Sequence, residues 1–206
     1  MTATLPNLSL PAFVKPMLAS PGSAFDDDDY LFEVKWDGMR MLAFVEATSY
    51  RLINRHAIDT TSRYPEFGFL REWPPGIILD GEMVVLRDGK PDFALLQSRD
   101  KTRSLLKIRT LSQVQPATFV AFDLLYDNYA SMVDQPLLVR RERLQQLLRQ
   151  WPHLQLLFSQ GILGKGKALF QEACRQNLEG IMAKRLCSRY RPGRRGQEWL
   201  KIKPRR

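Results

Sequence analysis

Cysteine and histidine are scarce in this sequence, and their scarcity closes off several chemistries. Two cysteines, Cys174 and Cys187, cannot build a disulfide framework and have no zinc-ligand spacing. Two histidines, His56 and His153, lie far apart and cannot make a metal site between them. No apolar run approaches the roughly 18 to 20 residues that span a bilayer. The opening MTATLPNLSLPAFVKPML lacks a basic segment followed by an uninterrupted apolar one, so no signal peptide and no membrane partner are expected. A reducing, cytoplasmic setting fits these absences. Acidic charge is also in deficit: 31 Lys and Arg against 22 Asp and Glu leave a net charge of +9, which favours a polyanionic partner through attraction and counterion release.

What is present is an ordinary globular balance, 44% hydrophobic and 26% charged over 206 residues, enough for a sizeable core. Residues 1–24, with Pro6, Pro11, Pro16 and Pro21, read as an irregular leader ahead of a domain spanning 25–206. The run Asp26 to Asp29 reads as a solvated loop before the first strand. From residue 31 the pattern is mostly β. Phe32, Val34 and Trp36 alternate with Leu31, Glu33 and Lys35. Further strands are predicted at 41–47, 50–54, 77–86, 118–126, 154–159, 180–184 and 199–203, with a hairpin turn at Arg87-Asp88-Gly89-Lys90. Helical stripes appear at Leu144, Leu147, Leu148 and Trp151, and at Leu169, Phe170, Ala173 and Cys174. Residues 97–113 are expected to be helical in part and carry Arg99, Lys101, Arg103, Lys107 and Arg109. With Arg55, Arg194 and Arg195 these basic residues are candidate phosphate contacts. The class expected is α+β, with antiparallel sheets flanked by helices.

The strongest local feature is Glu33-Val34-Lys35-Trp36-Asp37-Gly38-Met39-Arg40. Alternation puts Glu33 and Lys35 on one face, and Asp37-Gly38 reads as a turn in which glycine permits a positive φ. A lysine at a strand end among carboxylates and another cation is a candidate covalent nucleophile. Leu79-Asp80-Gly81-Glu82-Met83 and Leu178-Glu179-Gly180-Ile181-Met182 each set a carboxylate in an apolar strand pattern. Burying carboxylates is costly unless they are paired or metal-bound, and a shared Mg²⁺ held by Glu82 and Glu179 would account for both. Lys201 and Lys203 alternate with Leu200 and Ile202 and so project from one face, a clamp for phosphate oxygens.

In this order the segments KWDG, LDGE, FVAFDLLY, LEGIMAK and WLKIK resemble the motifs of the covalent nucleotidyltransferase superfamily: ATP-dependent DNA ligases, RNA ligases and mRNA capping enzymes. The resemblance covers about residues 15–203, and YRPGRRGQEWLKIKP is most similar to the ligase domain of bacterial end-joining ligases. It implies the covalent nucleotidyltransferase fold (ATP-grasp-like), with ATP bound as covalent AMP and Mg²⁺ as the metal. It implies Lys35 as nucleophile, Asp37 near nucleophile and ribose, and Glu33 as reader of the adenine amino group. Arg40 and Arg55 would lie near the nucleotide and the 5′-phosphate, and Glu82 and Glu179 in the metal and ribose site. Phe122 would stack on adenine, and Lys201 and Lys203 would hold the α-phosphate. Lys184, an odd number of residues after Glu179, is expected to point away from that site.

The implied function is sealing of nicked double-stranded DNA in repair or end joining, by a monomer in the bacterial cytoplasm at the nucleoid. The chain ends at Arg206, where the family usually continues into an OB-fold. That domain is therefore expected to be absent, and an OB-fold or end-joining protein supplied in trans is a candidate partner. An RNA ligase, a capping guanylyltransferase and a non-enzymatic DNA-end-binding module remain alternatives; Glu33 disfavours guanine, and a binding module leaves Lys35, Glu82 and Glu179 unexplained.

Overall fold

The computed structural model describes residues 9–204, and its β pattern divides between two sheets. Leu18–Pro21 (β1), Asp27–Val34 (β2), Gly161–Gly164 (β10), Ile181–Arg185 (β11) and Arg195–Ile202 (β12) form the first, ordered β1-β12-β11-β2-β10. Met39–Val45 (β3), Tyr50–Asn54 (β4), Ile77–Arg87 (β5), Ala117–Asp127 (β7) and the short Ala130–Ser131 (β8) form the second, ordered β4-β3-β5-β7-β8. Lys90–Pro91 (β6) adds to β5, and Leu156–Phe158 (β9) to β7. Pairing is antiparallel except for β1 with β12 and β7 with β9. Helices Phe93–Lys101 (α1), Leu105–Val114 (α2), Leu137–Gln150 (α3) and Gly166–Arg175 (α4) complete the α+β fold. None of the described helices is long and apolar enough to cross a membrane.

Period-2 alternation explains why the second sheet has two working faces. Along β5, Ile77, Leu79, Met83 and Val85 enter the largest core cluster with Leu144 and Leu147 of α3. Asp80 lies on the opposite face, bonded to Arg40 and Tyr190, and Glu82 opens into the cleft between the sheets. On β7 the alternation is interrupted. Gly81 pairs with Ala121 and Asp80 with Asp123, so Phe122 is an extra residue at a bulge. Bulges shift side-chain alternation: Phe122 faces the cluster containing Trp199 and Tyr190, opposite Phe119 and Ala121, and beyond it Leu124 rejoins the core of Phe119 and Ala121. The first sheet packs Phe32, Ile181 and Ala183 against Ala173 of α4.

Several expectations are corrected. The stretch read as an irregular leader contains β1, and Val14 and Met17 belong to the core. Pro16 and Pro21 bracket this strand instead of preventing it, since proline's missing donor is tolerated at strand ends. Residues 1–8 of the leader lie outside the described residues. Asp27 to Asp29 are solvated but begin β2, not a loop. Residues 97–113 fall on two helices, capped by Asp92 and Ser104. Arg99 is no surface cation: it is buried 2.5 Å from Glu66, whose carboxylate also accepts from Ala117 N. Trp151 and Cys174, placed on apolar stripes, are exposed. The hairpin turn does form, with positive φ at Asp88 and Gly89.

Candidate active site

The connection between β2 and β3 carries the chain from one sheet to the other, and residues 35–38 line the cleft there. Gly38 is required by close approach and not by φ, which corrects its reading as a turn glycine. A Cβ at this position would stand 2.2 Å from the Met83 carbonyl, and φ is not in the left-handed region. Asp37 beside it is exposed. Lys35 follows the last residue of β2, with its N–H donating to the Gly180 carbonyl at 2.9 Å.

Both sheets line a cleft of about 680 Å³. Every residue assigned to the site borders it: Glu33, Lys35, Asp37, Arg40, Arg55 and Glu82, together with Phe122, Glu179, Lys201 and Lys203. At one end, Glu179 bridges two lysines. Its Oε2 lies 2.5 Å from Lys35 Nζ and its Oε1 2.5 Å from Lys203 Nζ. Burial alone would raise the Glu179 carboxyl, but hydrogen bonds from Lys203 and Lys35 outweigh it and hold the group below its ordinary range. Glu82 behaves oppositely. Burial pushes it up to about 7, and Arg40 and Lys35 oppose the shift through charge.

At the other end the carboxylates Asp80 and Glu33 are buried and spoken for. Arg40 grips Asp80 with Nε at 2.5 Å and Nη2 at 2.6 Å, and Tyr190 donates to Asp80 Oδ2 at 2.6 Å. Burial would lower the Arg40 pKa, yet the Asp80 carboxylate holds it above its ordinary value. The guanidinium stands 4.6 Å over the Phe122 ring. Arg40 therefore lines the cleft while committed to a protein carboxylate. Glu33 was expected as an open acceptor, but its Oε1 is bound by Arg141 and its Oε2 lies 2.6 Å from Lys184 Nζ. Arg55 sits on the exposed rim, with Nε 3.0 Å from His56 Nε2, on a turn whose amides are gathered by Asn54 Oδ1.

Lys184 does not point away from the site, as counting along a strand from Glu179 had implied. Glu179 precedes the strand, and Gly180 takes φ +136°, so alternation begins only at Ile181. Lys184 then shares a face with Met182, and both border the cleft. Its ammonium is buried, 4.1 Å from the Phe122 ring centre, and burial lowers its pKa. It pairs with Glu33 by distance without being aimed along a hydrogen bond. Asp80 and Arg141 were not among the candidates: Asp80 appears only as a letter of LDGE, and no local pattern marks Arg141.

Two curled sheets enclosing a lysine-bearing cleft define a nucleotidyltransferase fold of the DNA-ligase type. The chain belongs to the family of ATP dependent DNA ligase domains, whose family model matches residues 16–203. It is 32% identical over 192 residues to the SPbeta prophage-derived DNA ligase-like protein LigB of Bacillus subtilis, covering 92% of this chain and 67% of that protein. It is 33% identical over 202 residues to the multifunctional non-homologous end joining protein LigD of Pseudomonas aeruginosa, covering 94% of this chain and 22% of LigD. Among solved structures, the ligase domain of M. tuberculosis LigD superposes with a TM-score of 0.77 at 32% identity, over 92% of this chain and 60% of that one. A Chlorella virus DNA ligase-adenylate, at 18% identity and TM-score 0.65, shares the fold.

Proposed function

We propose that this domain, with β1 as part of its first sheet, acts as a DNA ligase adenylation unit. The observation carrying this reading is the Lys35–Glu179–Lys203 arrangement in a cleft shared by both sheets. Lys35 Nζ attacks the α-phosphorus of ATP. An N–P bond forms, the bond to the bridging oxygen breaks, and pyrophosphate leaves. The AMP then passes to a 5′-phosphate of nicked DNA, and the adjacent 3′-hydroxyl displaces it. Lys201 and Lys203 face the phosphate oxygens, Asp37 and Arg55 lie at the nucleotide and 5′-phosphate edges, and Glu33 and Phe122 meet the adenine.

Lys35 shares the Glu179 carboxylate with Lys203, one anion between two ammonium groups. The donor set fits Mg²⁺: Glu82 and Glu179 offer hard oxygens, and no described cluster of three or more acidic, His or Cys residues would enclose the ion without phosphate and water. Bound there, Mg²⁺ would neutralise phosphate charge and draw the Glu179 carboxylate away from Lys35. Exposed Arg103, Lys107, Arg109, Arg194 and Arg195 supply cations for a DNA backbone. The end-joining names of the LigD relatives support a repair setting, with nicked DNA as substrate and an end-joining protein as partner.

Incubating the chain with ATP, Mg²⁺ and a singly nicked duplex should give sealed product, lost in Lys35→Ala. Equal sealing by that variant would refute the reading. A nicked RNA duplex run in parallel tests the substrate class.

A further inference from the structure

Glu33 is 1% exposed, and a carboxylate withdrawn from water needs partners to offset its desolvation. Lys184 is one. Arg141 is the other, and it does more than neutralise. It projects from the buried side of α3 and does not itself line the cleft. Its Nη1 donates to Glu33 Oε1 and, at 3.0 Å, to the Phe122 carbonyl; its Nη2 donates to the Ser159 carbonyl at 2.6 Å. The guanidinium lies 4.5 Å over the Phe158 ring, which fixes its plane. Ser159 Oγ in turn accepts from Trp36 Nε1 at 3.3 Å, next to Lys35. One side chain thus ties β2 of the first sheet to β7 and the segment after β9 of the second, where Glu33 and Phe122 would meet a base.

A carboxylate has about four lone-pair sites. Arg141 takes one of these on Oε1 and Lys184 pairs with Oε2 by charge, so lone pairs remain for a ligand, and their direction is set by whatever fixes the carboxylate plane. A guanidinium holds its acceptors on a rigid planar fork, whereas a lysine ammonium is a point charge on a flexible stem and fixes no plane. We propose that Arg141 is a positioning residue for base selection: by fixing Glu33 against Phe122, it aims the free lone pairs of Glu33 at the 6-amino group of adenine and sets the discrimination against 6-oxo purines. This inference rests on Glu33 being the residue that reads the base. A site built around one hydrogen-bonding pattern rejects a substrate presenting the wrong one, because buried polar groups are then left unpaired.

The test compares equilibrium binding of ATP and ITP to the full chain in EDTA, by calorimetry, for wild type, Arg141→Lys, Arg141→Met and Glu33→Gln. The wild type should prefer ATP, and both Arg141 variants should lower the ATP-to-ITP affinity ratio by about tenfold or more. Should Arg141→Met fail to fold, Arg141→Lys retains the buried charge and carries the test. Weakening of both nucleotides with an unchanged ratio would mean that Arg141 merely supports the fold, and would overturn the inference. A ratio that collapses in Glu33→Gln but holds in Arg141→Lys would overturn it while sparing the base-reading role of Glu33. A ratio that also holds in Glu33→Gln would remove that role, and the inference with it.

Discussion

The two ends of the cleft use the same pairing chemistry at different depths. Lys35, Glu179 and Lys203 are partly open, with side-chain exposures of 22%, 19% and 49%. Glu33 and Lys184 are each 2% exposed, and Asp80 is fully buried beneath Arg40 and Tyr190. Ion pairs near solvent contribute little, about 0 to 1 kcal/mol, and exchange partners readily. Buried pairs are costly to break, because the survivor is left as an uncompensated charge. The difference suits the chemistry proposed. The phosphate end must release Lys35 from Glu179 and accept new ligands, whereas the base end must stay fixed while a nucleotide arrives.

Breaking the buried end should have the largest effect on stability. Asp80→Asn leaves Arg40 without its carboxylate and should cost about 3–5 kcal/mol. In a chain of this size that lowers Tm by roughly 6–20 °C, read by thermal unfolding. A shift no larger than that of a surface variant would break the contrast between the two ends. Gly38→Ala should come next, at about 1–3 kcal/mol, because the new methyl group meets the Met83 carbonyl and the β3–β5 pairing must yield. Glu179→Gln should change stability by less than about 1 kcal/mol while suppressing formation of the lysyl adduct. Loss of folding in that variant would mean that the phosphate end is as rigid as the base end.

Glu82 gives the comparison a pH signature. Because burial raises its pKa to about 7, the folded chain holds this proton more tightly than the unfolded chain. Its contribution to stability is therefore present below the ordinary value of 4.5 and is lost as pH rises through about 7. Urea unfolding of wild type and Glu82→Gln across this window should show an additional fall in stability with rising pH in the wild type, and Mg²⁺ affinity should climb over the same range as the ligand deprotonates. The smallest effect is expected at the rim. Neutralising Lys107 or Arg194 should weaken nick binding modestly and flatten its salt dependence, by about 0.9 in the log–log slope for each DNA phosphate that the variant no longer neutralises.

Much of the phosphate end was legible in the sequence, because regular alternation governs it. Lys201 and Lys203 share a face as their spacing implied, and Glu82 interrupts the buried pattern of β5. The base end was legible only where a motif marked it. Lys184 was misplaced because parity counting assumed a strand through Gly180, whose φ of +136° lies outside one. Beyond Phe122 the faces of Leu124 and Leu125 depend on bulges set by the register of β5 against β7, which neither strand reveals alone. Arg141 lies in a run of charged residues on α3, and only the fold turns it inward to Glu33. Buried charges are fixed by tertiary packing, so local patterns pass over them.

The central claim is that Lys35 is the covalent nucleophile of a cleft whose ion pairs can be exchanged. Intact-protein mass spectrometry with ATP, with and without Mg²⁺, followed by peptide mapping, tests it most directly. The account requires one AMP per chain, bonded to Lys35, formed with Mg²⁺ and not in EDTA. An adduct mapped to another residue, or formed at the same rate in EDTA, would contradict it.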